Sequence, residues 1–174
     1  KAGFLPSLTL DLDAARARAA QALLHATKDG SLRNGPKDDT YDASLAQAAI
    51  LGFPNRDVCE TTMQSIARAL AVQAGGKETG FYFRYLRTDD FGRPQSSFVI
   101  CSFWVVQGLA RLGRMAEAQQ IMAQVLTGAN HLGLFSEHFV PETRTQLGNF
   151  PQAYSHVGLI NAAFAVSPSW TTVL

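Results

Sequence analysis

Three segments of the chain are apolar on almost every side: residues 43–51, 98–109 and 153–165. A helix without a polar face must be surrounded by protein, so each segment predicts a buried helix. Their starts at 43, 98 and 153 are separated by roughly 55 residues, which indicates a repeated helical unit. The stretch from Phe98 to Val106 taken alone also suits a buried strand. Its length and context favour a helix, with Ser96 or Ser97 as the N-cap.

One-sided amphipathic helices alternate with the buried ones. They are predicted over residues 10–27, 57–74 and 114–127. Asp11 and Asp57 are expected to cap the first two, and Gly30 and the Gly75-Gly76 pair to end them. Two helix types in alternation predict α-hairpins with an inner and an outer layer.

Long irregular segments precede the three buried helices, whereas the links from buried to outer helices are short. The long segments are residues 29–42, 75–97 and 128–152. This arrangement predicts an all-α fold of three stacked α-hairpins with its long loops on one face, where function usually lies. Three hairpins are half of a six-hairpin α/α toroid. A free-standing helical bundle or solenoid is the alternative, and composition does not distinguish it from a half-toroid.

Composition narrows the possible partners. The chain is 47% hydrophobic and 17% charged, an apolar excess that suits burial against a missing half of the domain. The net charge of +1 comes from scattered basic residues, which argues against nucleic acid. No apolar run is long enough for a membrane helix. The start lacks an initiator Met and a signal-peptide layout, which predicts a truncated piece, and we favour a cytoplasmic location.

The side chains with metal-binding or redox chemistry form no recognisable site. Cys59 and Cys101 lie in apolar helical patterns and are expected to be small buried hydrophobes. No His, Cys and Asp set has metal-ligand spacing, and there is no Gly-rich phosphate loop or serine nucleophile elbow. We therefore expect neither a metal nor a cofactor.

A single carboxylate, Glu137, stands out in the third long loop. It lies between Phe135 and Phe139, and poor solvation in such surroundings raises a carboxyl pKa unless donors compensate. A shifted carboxyl suits general acid–base work. The alternative is a structural glutamate that caps a helix or pairs with an arginine.

Four sequence blocks resemble one enzyme family. They are Leu-Phe-Ser-Glu-His-Phe at 134–139, Gln-Leu-Gly-Asn-Phe-Pro-Gln-Ala-Tyr-Ser-His at 146–156, the helix ending in Cys-Ser-Phe-Trp at 96–104, and Tyr-Asp-Ala-Ser at 41–44. In their order along the chain, from 41–44 to 146–156, they resemble the bacterial glucoamylase/trehalase-like branch of glycoside hydrolase family 15. The resemblance covers roughly residues 38–165 and is weak before them.

The resemblance implies that residues 1–174 are the C-terminal portion of an α/α-barrel catalytic domain. It implies inverting hydrolysis of α-linked glucosides with Glu137 as the general base. Inversion needs a second carboxyl roughly 6.5–9.5 Å away as general acid. In the family this acid lies earlier in the chain, and no motif for it is present. The fragment itself is therefore expected to be inactive without its N-terminal half.

Five residues are expected to bind the glucoside. Arg84 resembles the family's arginine near the first sugar subsite, and Tyr85 can cover a sugar face, although both also suit a structural turn. Asp42 is a helix N-cap, a hydroxyl acceptor, or both. Gln152 is expected to hold the glucose. His156 can close the pocket floor or orient Glu137, but a structural role is the commoner one for such a histidine.

Two rival functions remain open. A non-catalytic helical-repeat module could use the same loops to bind a partner, but it has no reason to keep Glu137 in a concave, partly apolar site. Another α/α-toroid enzyme, such as a lyase or an epimerase, usually brings Tyr or His pairs, and no convincing pair is present. The linkage of the glucoside (1,1, 1,4 or 1,6) stays open.

Overall fold

The computed structural model describes residues 11–169. Six α-helices follow one another, the second extended at its start by a 3₁₀ turn, η1: α1 (Leu12–His25), η1 (Ala43–Ala46), α2 (Gln47–Ile50), α3 (Arg56–Leu70), α4 (Val99–Arg111), α5 (Met115–Leu126) and α6 (Ala153–Val166). Seven short strands lie between them: β1 (Thr27–Lys28), β2 (Ser31–Leu32), β3 (Ala71–Ala74), β4 (Lys77–Tyr82), β5 (Ser97–Phe98), β6 (His138–Val140) and β7 (Thr145–Leu147).

Helix α4 lies at the centre of the inner layer. It packs against α6 on one side and against η1 and α2 on the other. Its side chains Phe103, Val105 and Val106 are buried in the main apolar cluster. Predicted starts at 43, 98 and 153 agree with observed starts at Ala43, Val99 and Ala153. The prediction of a helix rather than a strand for residues 98–109 is thus confirmed, and so is the repeat of roughly 55 residues.

Helix α6 is less enclosed than its composition predicts. Gly158 lies so close to α4 that a Cβ atom there would be 3.2 Å from Phe103, which gives an intimate helix contact. The opposite face is exposed, and it carries Val157, Ile160 and Phe164. The expectation that protein surrounds this helix is therefore not met within residues 11–169, because no described element covers that side.

The outer helices differ from one another. Helices α3 and α5 each bury one apolar face, as predicted from their one-sided patterns. Helix α1 has no buried residue, and Leu12 and Leu23 on its apolar stripe remain exposed. An alanine-rich stripe buries little area, so it gives a helix little packing energy. Leu10, the first residue of the predicted helix, lies outside the described residues.

The predicted glycine stops are wrong. Helix α1 ends at His25 and α3 at Leu70, ahead of the expected positions. Gly30 and the Gly75-Gly76 pair instead form the tight turns of two β-hairpins, β1–β2 and β3–β4. All three glycines have positive φ, which such turns require. Glycine marks both helix ends and hairpin turns, and the sequence pattern did not separate them.

Helix caps are partly as predicted. The Asp11 side chain accepts a hydrogen bond from the Ala14 amide at 3.0 Å, so this cap is confirmed. Asn55 caps α3 in place of Asp57, which lies in the first turn. Neither Ser96 nor Ser97 caps α4. The Ser97 hydroxyl donates to the Phe139 carbonyl at 2.6 Å, because Ser97 belongs to strand β5 rather than to the cap.

The all-α prediction needs correction, because short antiparallel strands occupy the long segments. Strands β5, β6 and β7 form a three-stranded sheet, and two further hairpins stand alone. The loops are tied to the starts of the inner helices. The amides of Ala43, Val99 and Gln152 donate to the carbonyls of Arg84, Glu137 and Phe135, respectively. Loop segments distant in sequence therefore meet where the inner helices begin.

Both cysteines are buried and free, as expected from their apolar surroundings. Burial raises the pKa of the Cys59 thiol, and it raises that of Cys101 well above the ordinary value. Within residues 11–169, no helix is long and apolar enough to cross a membrane.

Candidate active site

Strand pairing fixes the backbone of Glu137. This residue immediately precedes β6, and its carbonyl accepts the Val99 amide at 3.0 Å, at the first residue of α4. Its own amide donates to the Asn149 carbonyl at 3.0 Å, just beyond β7. Two neighbouring segments therefore hold the residue from either side, which gives a loop glutamate the rigidity that a catalytic group needs.

Each carboxylate oxygen of Glu137 has a donor. The Tyr154 hydroxyl donates to Oε1 at 2.7 Å, and the Asn149 amide donates to Oε2 at 3.1 Å. A carboxylate has about four acceptor positions, so lone pairs remain for a water molecule or a sugar hydroxyl. The side chain is half-buried.

The pKa of Glu137 is lowered, because the donors that the sequence left open are present and outweigh burial. The Tyr154 hydrogen bond is the main cause, followed by the Asn149 amide, and both outweigh the opposing effect of burial. The apolar neighbours in sequence are not the groups that face the carboxylate. A lowered pKa keeps Glu137 ionised, which suits a proton acceptor rather than a donor.

Gly148 leaves room for the carboxylate. A Cβ atom at this position would lie 2.8 Å from Glu137 Oε2 and 3.0 Å from Glu137 Cβ. The residue also has a φ of 75°, which L side chains rarely adopt. Both its conformation and its close approach to Glu137 thus require glycine.

Three aromatic rings pack together beside the Glu137 loop, and one of them, Tyr154, contacts its carboxylate. The Phe98 ring lies 4.8 Å from the ring of His138 and 5.7 Å from that of Tyr154, measured between centroids. The Ser96 hydroxyl and His138 Nδ1 are 3.2 Å apart. Phe98 therefore connects strand β5 and its neighbour β6 to the first turn of α6.

Asp42 and Arg84 form a pair at the start of the first inner helix. Asp42 is 4% exposed, and its Oδ1 accepts from the Ser44 amide at 2.8 Å. The predicted N-cap is thus observed. Arg84 Nε donates to Asp42 Oδ2 at 3.3 Å, while half of the Arg84 side chain stays exposed. The rest of the guanidinium remains able to donate to a ligand.

Arg84 and Tyr85 line a cavity of about 460 Å³. Phe98 and His138 form another part of its wall, and His138 is the residue that follows Glu137 in the chain. The Tyr85 hydroxyl donates to Asp89 at 2.7 Å, which fixes its ring on the cavity rim. Glu137 with its donors and the cavity of Arg84 are thus two groups, and Phe98 links them because it lines the cavity and packs against Tyr154.

His156 and Gln152 bond to the backbone. His156 Nδ1 lies 2.7 Å from the Gln152 carbonyl, and its Nε2 accepts the Phe135 amide at 3.3 Å. The Gln152 amide donates to the Phe135 carbonyl at 2.9 Å. These bonds give both residues a structural part in holding the Glu137 loop. Direct contact of either side chain with a sugar stays a prediction.

Sequence reasoning missed four residues around Glu137. They are Tyr154, Asn149, Gly148 and His138, and all lie inside the blocks that carry the family resemblance. The signal was present as a motif, but it carried no information on which residue contacts which. In the described part of the chain, no group of three or more His, Cys, Asp or Glu residues could hold a metal ion.

The fold is that of a known class of helical glycosidases. A solved structure titled "Glycosidase Wild Type" superposes with a TM-score of 0.73 at 20% identity, covering 88% of this chain and 43% of that one. A glycosidase variant in complex with glucose gives the same TM-score at 19% identity. At such identities the comparison shows the fold alone.

Within this class, the chain is similar to family 15 of the glycosyl hydrolases. Residues 112–164, which contain Glu137 and most of α6, match the model "Glycosyl hydrolases family 15". The trehalase of Mycolicibacterium smegmatis is 37% identical over 142 residues, which is 80% of this chain and 21% of that protein. The trehalase of Thermoplasma volcanium is 37% identical over 125 residues, 70% of this chain and 19% of that protein. The family resemblance predicted from the sequence blocks is confirmed. The chain spans about a fifth of the length of these curated relatives.

Proposed function

We propose that residues 1–174 form the C-terminal part of an α/α-barrel catalytic domain and that the complete domain hydrolyses α-linked glucosides with inversion. The observation that carries this proposal is Glu137, a carboxylate with a lowered pKa that two donors fix. The next residue, His138, lines the cavity that half-exposed Arg84 also lines. Trehalose is the foremost substrate, because several relatives of this chain are trehalases.

The proposed reaction needs one proton acceptor in this chain. Glu137 takes a proton from a water molecule while the water oxygen bonds to the anomeric carbon and the glycosidic C–O bond breaks. A second carboxyl, contributed by the preceding part of the domain, protonates the leaving oxygen. Arg84, Asp42 and Tyr85 hold the glucose, with Gln152 and His156 at the base of the loop. Two carboxyls and water complete the chemistry.

A non-catalytic helical-repeat binding module accounts less well for the site. Such a module could use the cavity beside Arg84, but it has no need for a carboxylate that two donors keep ionised. The proposed half-toroid also accounts for the exposed apolar face of α6, which the missing half of the domain would cover.

The first test is product stereochemistry in the complete catalytic domain. We expect the highest kcat/KM on trehalose among trehalose, maltose and isomaltose. Inversion releases one β-glucose and one α-glucose from each trehalose, and ¹H NMR resolves the two before mutarotation. The 174-residue chain alone, without the general acid, should release no glucose. Two α-glucose products, or activity of the isolated chain, would contradict the mechanism.

A second test separates the two roles of Asp42. Asparagine caps a helix as well as aspartate does, so Asp42→Asn should change the free energy of unfolding by less than about 0.5 kcal/mol. It removes the charge that orients Arg84, and we expect KM for trehalose to rise severalfold. Asp42→Ala also loses the cap, which should lower stability by about 1 kcal/mol. An unchanged KM in Asp42→Asn would assign Asp42 to the cap alone.

A further inference from the structure

We propose that Tyr154 is a positioning residue for Glu137. The Tyr154 hydroxyl holds the Glu137 carboxylate in one orientation and keeps it ionised, able to accept a proton. This inference rests on the proposed function. Tyr154 contacts Glu137 rather than the reacting atoms, so it acts through the carboxylate. Nothing in the sequence pattern distinguishes this tyrosine from a core aromatic residue.

The geometry of the contact supports an oriented carboxylate. Tyr154 Oη and Glu137 Oε1 are 2.7 Å apart, the length of a strong hydrogen bond to a charged acceptor. The Asn149 amide binds the other oxygen at 3.1 Å. Since the donors approach different oxygens from different segments, rotation about the last side-chain bond would break both hydrogen bonds. The carboxylate plane is therefore fixed, and its free lone pairs have fixed directions.

A rigid element carries the Tyr154 hydroxyl. Tyr154 is the second residue of α6, and its half-buried ring packs against Phe98 at 5.7 Å. The Gln152 side chain lies near its hydroxyl. Helix α6 is anchored to α4 through Gly158, where a Cβ atom would be 3.2 Å from Phe103. A donor on a packed helix is positioned more accurately than a donor on a loop.

The charges around this pair favour a neutral phenol and an ionised carboxylate. Burial and the hydrogen bond to Glu137 raise the pKa of Tyr154 far above its ordinary value, so the hydroxyl remains a donor. Donation from Tyr154 is the main cause of the lowered pKa of Glu137, and the neighbouring His138 also lowers it. Three groups from other elements also face the pair. The Asn149 amide faces Glu137, and the Phe98 ring and the Cys101 thiol of α4 lie near Tyr154.

The test uses Tyr154→Phe in the complete catalytic domain. Loss of one hydrogen bond to a charged group should lower kcat on trehalose about tenfold with KM nearly unchanged. Without the donor the pKa of Glu137 rises, so more of the base is protonated at a given acidic pH. The acidic limb of kcat/KM against pH should therefore move to higher pH. Tyr41→Phe removes a phenol that bonds Ser31 and Arg33 rather than Glu137, so it should leave both kcat and this limb unchanged.

The same substitution in a Glu137→Ala variant distinguishes a positioning role of Tyr154 from a general loss of structure. In Glu137→Ala, azide can replace the attacking water, and no carboxylate remains for Tyr154 to hold. Adding Tyr154→Phe should then leave the azide-rescued rate unchanged. A further drop in that rate, or an unshifted acidic limb in Tyr154→Phe alone, would overturn the positioning role. Full activity in Glu137→Gln would instead refute the proposed function itself, so the two failures are distinguishable.

Discussion

Glu137→Gln in the complete catalytic domain is expected to lower turnover by about 10²–10⁴-fold, the usual contribution of a general base. Glutamine keeps the shape of the side chain, and its carbonyl oxygen can still accept the Tyr154 hydrogen bond. Sugar binding should therefore change little, and KM should stay nearly constant while kcat falls. That split is typical of an interaction made mainly in the transition state. Initial rates of glucose release over a range of trehalose concentrations measure both constants.

Azide and a nearby glutamate provide the controls for this variant. A small anion can attack without losing a proton, so azide should partly restore turnover and yield β-glucosyl azide, the product of inversion. Glu142→Gln removes the same charge from an exposed position a few residues along the chain and should leave kcat unchanged. If Glu137→Gln keeps more than about a tenth of wild-type turnover, well above the general-base expectation, the residue is structural.

Gly148→Ala is expected to reduce turnover by about 100-fold without any change to a charged group. The new methyl would lie 2.8 Å from Glu137 Oε2, and an alanine at this φ of 75° is strained as well. The carboxylate must then shift, and a displacement of about 1 Å in a catalytic group can cost about 10²-fold. Steady-state kinetics on trehalose, with the melting temperature of each variant, give the measurement.

Gly133→Ala is the matched control, because it introduces the same backbone strain at positive φ without a contact to Glu137. Gly133 has a φ of 77° on the same long segment, and no atom lies within 4 Å of its Cβ position. Both alanine variants should lose about 1–2 kcal/mol from the left-handed conformation. Only Gly148→Ala should lose turnover beyond what that instability explains. Equal turnover in the two variants would show that the carboxylate tolerates the methyl group.

The helical scaffold was predictable because its signal is local. Segments apolar on every side, such as residues 98–109, carry their burial in their own composition, and α4 occupies this range almost residue for residue. The short strands were not predictable. A two-residue strand such as Ser97–Phe98 exists only because Phe139 and His138 pair with it from 40 residues away. No pattern within its own few residues could indicate that pairing.

The candidate site was likewise only partly predictable from the sequence. Glu137 was recognisable from its motif, yet the sequence could not decide whether donors compensate for its apolar neighbours and so could not fix the direction of its pKa shift. Its sequence neighbours suggested an apolar environment, whereas the groups that face the carboxylate are the Tyr154 hydroxyl and the Asn149 amide. The Asp42–Arg84 pair likewise joins residues 42 positions apart. Both residues were expected to bind sugar, but nothing in the sequence predicted that they contact each other.

The sequence by itself determined the alternation of helix types, the repeat of roughly 55 residues, the family resemblance and the position of Glu137. The tertiary structure alone decided which donors meet that carboxylate, why Gly148 must lack a side chain, and that Phe98 and His138 line the Arg84 cavity. The physical reason is range. Burial and helix periodicity follow from residues within a few turns of one another, whereas a hydrogen bond acts over about 3 Å between atoms that only the packing of α4, α6 and the β5–β6–β7 sheet brings together.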